Sequence, residues 1–320
     1  MDVKKVVAVD IGGTKIASAL VTLPGDGEKP VVEHFAKIPT EAKRGGATVL
    51  ANAIKMAERV IGLAGEDAGL AGIGVSSGGV IDPRTGDVTY ANDMMPGWGG
   101  TRLGAELEAA TGLPARVLND VHAHALGEAR WGAGAGRHSC LVVAVGTGIG
   151  GAFVERGQIM LGAHNEAGHI GHVSCSDAAG IPCQCGAVGH LETIACGPGI
   201  IERYLELGGA PEEDGAPVDG AVIDKRAAAG DEAARAAEAR SGHAIGEVLG
   251  SLSNMLDPEC IILSGSVAQC GAAWHDAMAA GWSEAVMPPV ASTPILSGEL
   301  GGDAPLIGAA ENLVSSAYAW

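Results

Sequence analysis

The stretch VVAVDIGGTKIASALV, from Val6 to Val21, decides how the rest of the chain is read. Val6 to Val9 is a short apolar, β-branched run that closes on Asp10. Gly12 and Gly13 supply a turn, and Ile16 to Val21 is a second apolar run, so the segment predicts a β-hairpin. With no Cβ on the turn glycines, backbone N–H groups can approach a phosphate closely. The turn is no Walker A loop, because no Gly-Lys-Ser/Thr opens a following helix. Nor is it the dinucleotide fingerprint, whose glycines must lead into a helix rather than a strand. The same plan returns at residues 140–155: a strand from Cys140 to Val145, a glycine turn from Gly146 to Gly151, then a strand from Ala152 to Glu155. That echo predicts two related lobes facing one cleft.

Outward from the hairpins, strands alternate with helices. Val31 to Ile38 reads as a third strand. Residues 46–64 carry Val49, Leu50, Ile54, Ala57 and Ile61 at helical spacing. A strand over 71–75, a helix from Arg102 to Thr111 and a strand from Ala115 to Leu118 follow, the last ending at Asn119-Asp120. Residues 208–220 read as a solvated loop. A long helix is predicted from Asp231, its cap, to Leu256, where Asp257-Pro258 stops it. A strand over 260–263, Ser264-Gly265-Ser266, a further helix and a closing helix over 303–318 complete an α/β pattern.

The 320 residues are 47% hydrophobic and 18% charged, enough for two packed lobes or one large domain and too little polarity for disorder. A net charge of −18 argues against a broad basic surface for nucleic acid or an anionic membrane. An acidic protein still binds phosphates through backbone N–H groups and a cation. The apolar start is too short for a secretory signal and no run reaches the ~20 residues of a membrane helix, so a cytoplasmic location is expected. Seven cysteines, three of them within residues 175–185, fit a reduced compartment and a metal site better than a disulfide framework.

Two constellations carry chemistry. His172, Cys183, Cys185 and His190 supply four ligands of the kind zinc takes in a tetrahedron, a C-x-C knuckle with a histidine on either side. The plainer reading makes these cysteines small buried hydrophobes. Asn119-Asp120 stands where a strand gives way to a helix at Val121, and both residues are good N-caps.

The DIGGTK segment at Asp10–Lys15, the GTGIGG segment at Gly146–Gly151 and Ser264-Gly265-Ser266 resemble the phosphate and adenosine segments of the actin–hexokinase–Hsp70 superfamily. Within it the chain resembles the ROK (repressor, open reading frame, kinase) family, with motifs in the family's order from Val6 to Ala310. The resemblance implies a two-lobed, actin-like α/β fold with ribonuclease-H-like mixed sheets. A small lobe would comprise residues 1–118 and about 308–320, and a large lobe residues 119–307, with ATP and sugar in the cleft between them. It implies sugar phosphorylation by ATP with Mg²⁺, phosphate contacts from Asp10, Gly12, Gly13, Thr14, Lys15, Gly146, Thr147, Gly148, Gly265 and Ser266, and a homodimer or homotetramer. Asp120 becomes the base that takes the proton from the sugar's 6-hydroxyl, with Asp10 holding Mg²⁺ through water.

The family's zinc segment runs G-H, then C-x-C-G-x-x-G-C-x-E. Here its last cysteine is replaced by His190, leaving Cys175 as an alternative fourth ligand to a structural zinc. Gly78, Asn92, Asn119, His169, His172 and Glu192 match sugar-contacting positions. Glucose-specific members read E-x-G-H where this chain reads His169-Ile-Gly-His172. Bacterial N-acetylmannosamine kinases are similar to this chain in having A-G-H-I-G-H, so N-acetylmannosamine or a related N-acyl hexosamine is the expected substrate, glucose the alternative. A sugar-responsive repressor of the same family carries a helix-turn-helix segment before its first strand; here that strand begins within the first few residues, which weighs against that reading.

Overall fold

The computed structural model describes residues 3–25 and 28–315. By internal packing the chain divides into two units, one of residues 1–139, 152–167 and 298–320, the other of residues 140–151 and 168–297.

In the first unit the opening hairpin forms as expected. β1 (Lys4–Ile11) pairs antiparallel with β2 (Lys15–Leu23), which pairs antiparallel with β3 (Val31–Pro39). Helix α1 (Gly46–Ala64) then carries the chain over to β4 (Leu70–Ser77), laid parallel to β1. A small hairpin, β5 (Val80–Asp82) and β6 (Asp87–Tyr90), and helix α2 (Leu103–Thr111) lead to β7 (Ala115–Asn119), parallel to β4. The resulting order is β3-β2-β1-β4-β7, three antiparallel strands continued by parallel ones, the ribonuclease-H-like arrangement. β1 is apolar from Val6 to Val9, as suits a strand with both faces covered. Val7, Val9 and Ile11 pack with Val49, Met56 and Val60 of α1, while Val6 and Ala8 pack with Leu306, Ile307 and Ala310 of the closing helix, Ala304–Ser315. Residues 316–318 of the expected closing helix lie outside the described residues.

Helix α3 (Asp120–Trp131) belongs to this unit, although the sequence placed a boundary at 118. The physical reason is backbone contact between helices. A Cβ on Gly308 would overlap the Ala123 carbonyl, and one on Gly127 the Ala304 carbonyl, so α3 and the closing helix touch along a seam of glycine and alanine. Buried carboxylates fasten the seam. Glu311 accepts from Arg130 Nε at 3.1 Å and Trp131 Nε1 at 2.9 Å, and Glu128 accepts from the backbone of Glu299 and Leu300 at 3.0 and 2.8 Å.

A second five-stranded sheet starts from β8 (Ser139–Val145), β9 (Ile149–Glu155) and β10 (Gln158–Ile159). Two helices, α4 (Glu192–Ala195) and α5 (Gly197–Glu206), precede residues 208–220. That segment is more ordered than expected: β11 (Glu212–Glu213) and β12 (Ala216–Pro217) form a hairpin turned at Asp214 and Gly215, both at positive φ. Asp219 caps α6 (Gly220–Ala229), and Asp231 caps α7 (Glu232–Leu256) through Ala234 N at 2.9 Å. β13 (Cys260–Ser264), α8 (Ala272–Ala285) and β14 (Ile295–Ser297) close the second unit. The order, β10-β9-β8-β13-β14, repeats that of the first sheet strand for strand, so the echo read in the two glycine hairpins is a true structural repeat.

Candidate active site

Strands β1, β4 and β7 of the first unit run parallel and end together, with Asp10 opposite Ser76 and Ser77 opposite Asn119 in the register. Ligands of open α/β sheets bind outside such carboxyl ends. Asp10 Oδ1 accepts a 2.6 Å hydrogen bond from Ser76 Oγ. Burial raises the Asp10 carboxyl to a pKa of about 6; the Ser76 bond opposes the rise, the Asp120 charge adds to it and Lys15 opposes it. A buried carboxyl that feels the charge of a second carboxylate is one that a divalent cation would relieve. The turn between β1 and β2 is held by Gly12 N donating to Lys15 O at 3.0 Å. Buried Thr40 adds its hydroxyl to Gly12 O at 2.6 Å and its N–H to Thr14 O at 3.0 Å. Gly13 and Thr14 thereby keep their backbone in one conformation.

Asn119 is the N-cap of α3: its Oδ1 accepts from Val121 N at 3.0 Å and His122 N at 3.4 Å, and its Nδ2 donates to Gly79 O at 2.9 Å. Asp120 is the next residue, its Oδ1 accepting from Val121 N at 2.9 Å. Its Oδ2 lies 4.0 Å from where a Cβ on Gly78 would stand, so the missing side chain keeps the carboxylate's front clear. Trp98, fully buried, donates from Nε1 to Ser77 Oγ and Gly78 O, each at 3.2 Å, and fixes that turn. Thr40, Ser76 and Trp98 escaped the sequence reading. Ser76 was missed because β4 was read as ending at residue 75; Trp98 sits in a glycine-rich loop with no periodicity. Asn92 is exposed, its Oδ1 engaged by Met94 N at 3.1 Å.

In the second unit the β8–β9 turn is built on glycine. Gly146 N donates to Gly148 O at 2.9 Å, and Gly197 N donates to Gly146 O at 2.8 Å, holding the start of α5 against it. At the end of β13, Gly265 has φ +93°, and a Cβ there would overlap the Val145 carbonyl, so no other residue fits. Gly146, Thr147 and Ser266 border a cavity of about 390 Å³ with apolar walls that include Ile200 and Val267. Glu192, expected at the sugar, uses Oε2 to accept from Ile149 N at 2.7 Å and lies 2.9 Å from the Cβ position of Gly148. It ties α4 to the β8–β9 turn.

The four expected zinc ligands converge. His172 Nδ1 is 3.4 Å from His190 Nδ1 and 3.7 Å from Cys183 Sγ, and Cys185 Sγ is 3.2 Å from His190 Nδ1. A tetrahedron with zinc–nitrogen and zinc–sulfur bonds of ordinary length has edges of roughly 3.3–3.8 Å, so the set fits zinc. Cys175 is buried, its thiol pushed up to about 11 by burial, and it stands outside this cluster. All seven cysteines are unbridged. His169 stacks near His172, ring centroids 6.2 Å apart and planes 15° from parallel. Among the described residues no helix is long and apolar enough to cross a membrane.

Comparison with known proteins agrees with this geometry. The chain is 35% identical over 274 residues to a glucokinase of Halalkalibacterium halodurans, covering 83% of this chain and 81% of the relative. It is 32% identical over 272 residues to an N-acetylmannosamine kinase of Shigella flexneri, covering 82% and 83%. A solved ROK family glucokinase of Streptomyces griseus, in complex with glucose and AMPPNP, superposes with a TM-score of 0.76 at 26% identity over 96% of this chain and 98% of that one. The family model described as ROK family matches residues 6–315. With nearly the whole chain matched, the paired sheets in place and the motif residues gathered at their strand ends, the chain belongs to the ROK family.

Proposed function

We propose that the chain is an ATP-dependent sugar kinase that phosphorylates the 6-hydroxyl of N-acetylmannosamine or a related N-acyl hexosamine, with Asp120 as its catalytic base. The observation that carries this is the placing of Asp10 and Asp120 at the carboxyl ends of β1 and β7, the parallel neighbours of β4 on either side, with Gly78 after β4 leaving out a side chain beside Asp120. Phosphoryl transfer needs a positioned nucleophile and charge compensation more than covalent chemistry. Asp120 accepts the proton of the sugar hydroxyl as that oxygen bonds the γ-phosphorus and the bond to the ADP oxygen breaks. Magnesium carried by the nucleotide would supply positive charge, and Asp10 would be the residue to hold it. Backbone N–H groups of the turns at Gly12–Gly13 and Gly146–Gly148 hold phosphate oxygens, and Gly265 and Ser266 border the nucleoside.

The cluster of His172, Cys183, Cys185 and His190 holds a structural zinc, since four protein ligands leave no open position. It steadies the segment bearing His169. An imidazole at that position in place of a carboxylate alters the hydrogen-bond pattern offered to the sugar around C1 and C2, where glucose and N-acetylmannosamine differ. Glucose is the second reading, favoured by the 35% identity to a glucokinase.

Asp120→Asn keeps shape and removes basicity. We expect turnover, followed as sugar-dependent ADP release, to fall by about 10³-fold or more, with sugar affinity by calorimetry within a few-fold of the native protein. A variant keeping most of its rate overturns Asp120 as the base.

A further inference from the structure

We propose that Glu238 reads the base of the donor nucleotide, pairing its carboxyl group with the N1 and N6 edge of adenine and so favouring ATP over GTP. The inference rests on the kinase reading above and adds a specificity-determining residue to it. The cavity that begins at Gly146 and Thr147 is lined on its far side by Asp224 of α6, Glu238 of α7 and Cys270. Glu238 is only 1% exposed, and neither of its carboxyl oxygens makes a hydrogen bond of ordinary geometry, although Asp224 and Cys270 stand close enough to act on it. A buried carboxyl that makes no well-formed hydrogen bond is costly, and its place in a cavity wall leaves it open to a ligand.

The surroundings decide which ligand. Donor atoms of Asp224, Glu238 and Cys270 lie within 4.8 Å of one another. Asp224 Oδ1 is already engaged by Gly271 N at 2.7 Å. On α5, Arg203 Nη2 is paired with Glu202 and Glu206 at 3.1 and 2.8 Å. Burial first, and the Asp224 charge second, raise the Glu238 carboxyl to about 7, and burial pushes the Cys270 thiol up to about 12. Below pH 7 Glu238 is the neutral acid, with one O–H donor beside one carbonyl acceptor. Adenine presents the complement side by side: N1 accepts and the N6 amino group donates. Guanine presents N1–H and the N2 amino group, two donors that pair with the ionised carboxylate instead. A bare cation would also satisfy three such ligands, but a cavity of about 390 Å³ with apolar walls is the size of a small organic ligand's site.

The test is the ratio of kcat/KM for ATP to that for GTP, with one sugar, at pH 6 and pH 8. Both nucleotides meet the same other titrating groups, so the ratio isolates the base. In the native protein ATP is expected to be favoured by about tenfold or more at pH 6, and the preference to shrink several-fold by pH 8. Glu238→Gln offers the same donor and acceptor without titrating, so it should keep the preference at both pH values. Glu238→Ala should bring the ratio near one. Equal ratios in the native protein and Glu238→Ala overturn the proposal, as does Mn²⁺ binding lost in Glu238→Ala with the ratio unmoved. If no nucleotide supports sugar turnover the kinase reading fails by itself, and calorimetry of ADP against GDP on the same variants still decides the role of Glu238.

Discussion

Asp10 is held at the end of β1 at some cost to the fold. Burial, aided by Asp120, lifts its carboxyl from the ordinary 3.8 to about 6. The unfolded chain releases that proton at lower pH, so the folded state binds more protons between about pH 4 and 6. Stability therefore declines as pH rises through that window and stays lower above it. Two pH units correspond to on the order of 3 kcal/mol as an upper figure. Asp10→Asn retains an acceptor for Ser76 and removes the charge. Without nucleotide at pH 7.5 it should melt a few degrees higher than the native protein, show a flatter pH 4–6 dependence, and turn over at least tenfold more slowly. A variant that melts lower contradicts this account of Asp10. Residue identities were legible here only in part. Asn119-Asp120 reads in sequence as a pair of helix caps, and Asn119 is indeed the cap. What the sequence does not display is Gly78 standing 42 residues upstream with its absent Cβ facing Asp120, because register between β4 and β7 is a tertiary fact.

Among the elements, the segment from His169 to His190 has almost no regular structure, only two short 3₁₀ turns, and its shape depends on side chains. Ser176 donates its N–H and hydroxyl to Glu247, the latter at 2.7 Å. Asp177 meets His243 Nδ1 at 2.6 Å, an ion pair that holds the His243 pKa above its ordinary value. These contacts anchor one end on α7, and the His172, Cys183, Cys185 and His190 cluster closes the rest. Protein purified without added zinc should carry about one zinc per chain by elemental analysis. Removing it with a chelator, or making Cys183→Ser, should lower the melting midpoint by several degrees and open residues 169–190 to proteolysis. Normal activity at a stoichiometry near zero would return these cysteines to simple packing. The cluster was readable from residue types and spacing, whereas the choice of His190 over Cys175 needed coordinates. The hairpin at residues 212–217 was hidden by its composition, since GGAPEEDGAP looks solvated and its strands are two residues each.

For the whole molecule, the repeated β-sheet order is the deepest regularity, and the two glycine hairpins hinted at it. The unit boundary was harder, because the α3 seam with the closing helix is made of Gly127, Gly308, Ala123 and Ala304, residues that carry no hydrophobic signature of a core. Family membership settles the class of molecule; relatives named for glucose and for N-acetylmannosamine stand at 35% and 32% identity, too close together to rank the sugars. In the function proposed above, His169 is given that distinction. The most direct measurement is kcat/KM for N-acetylmannosamine and for glucose with ATP and magnesium, with the phosphorylated carbon identified by NMR. The account predicts phosphate on the 6-oxygen and N-acetylmannosamine favoured by tenfold or more, about 1.4 kcal/mol of transition-state discrimination. Equal efficiency on the two sugars would contradict the role given to His169, and no sugar-dependent ADP release from any hexose or N-acyl hexosamine would contradict the kinase itself.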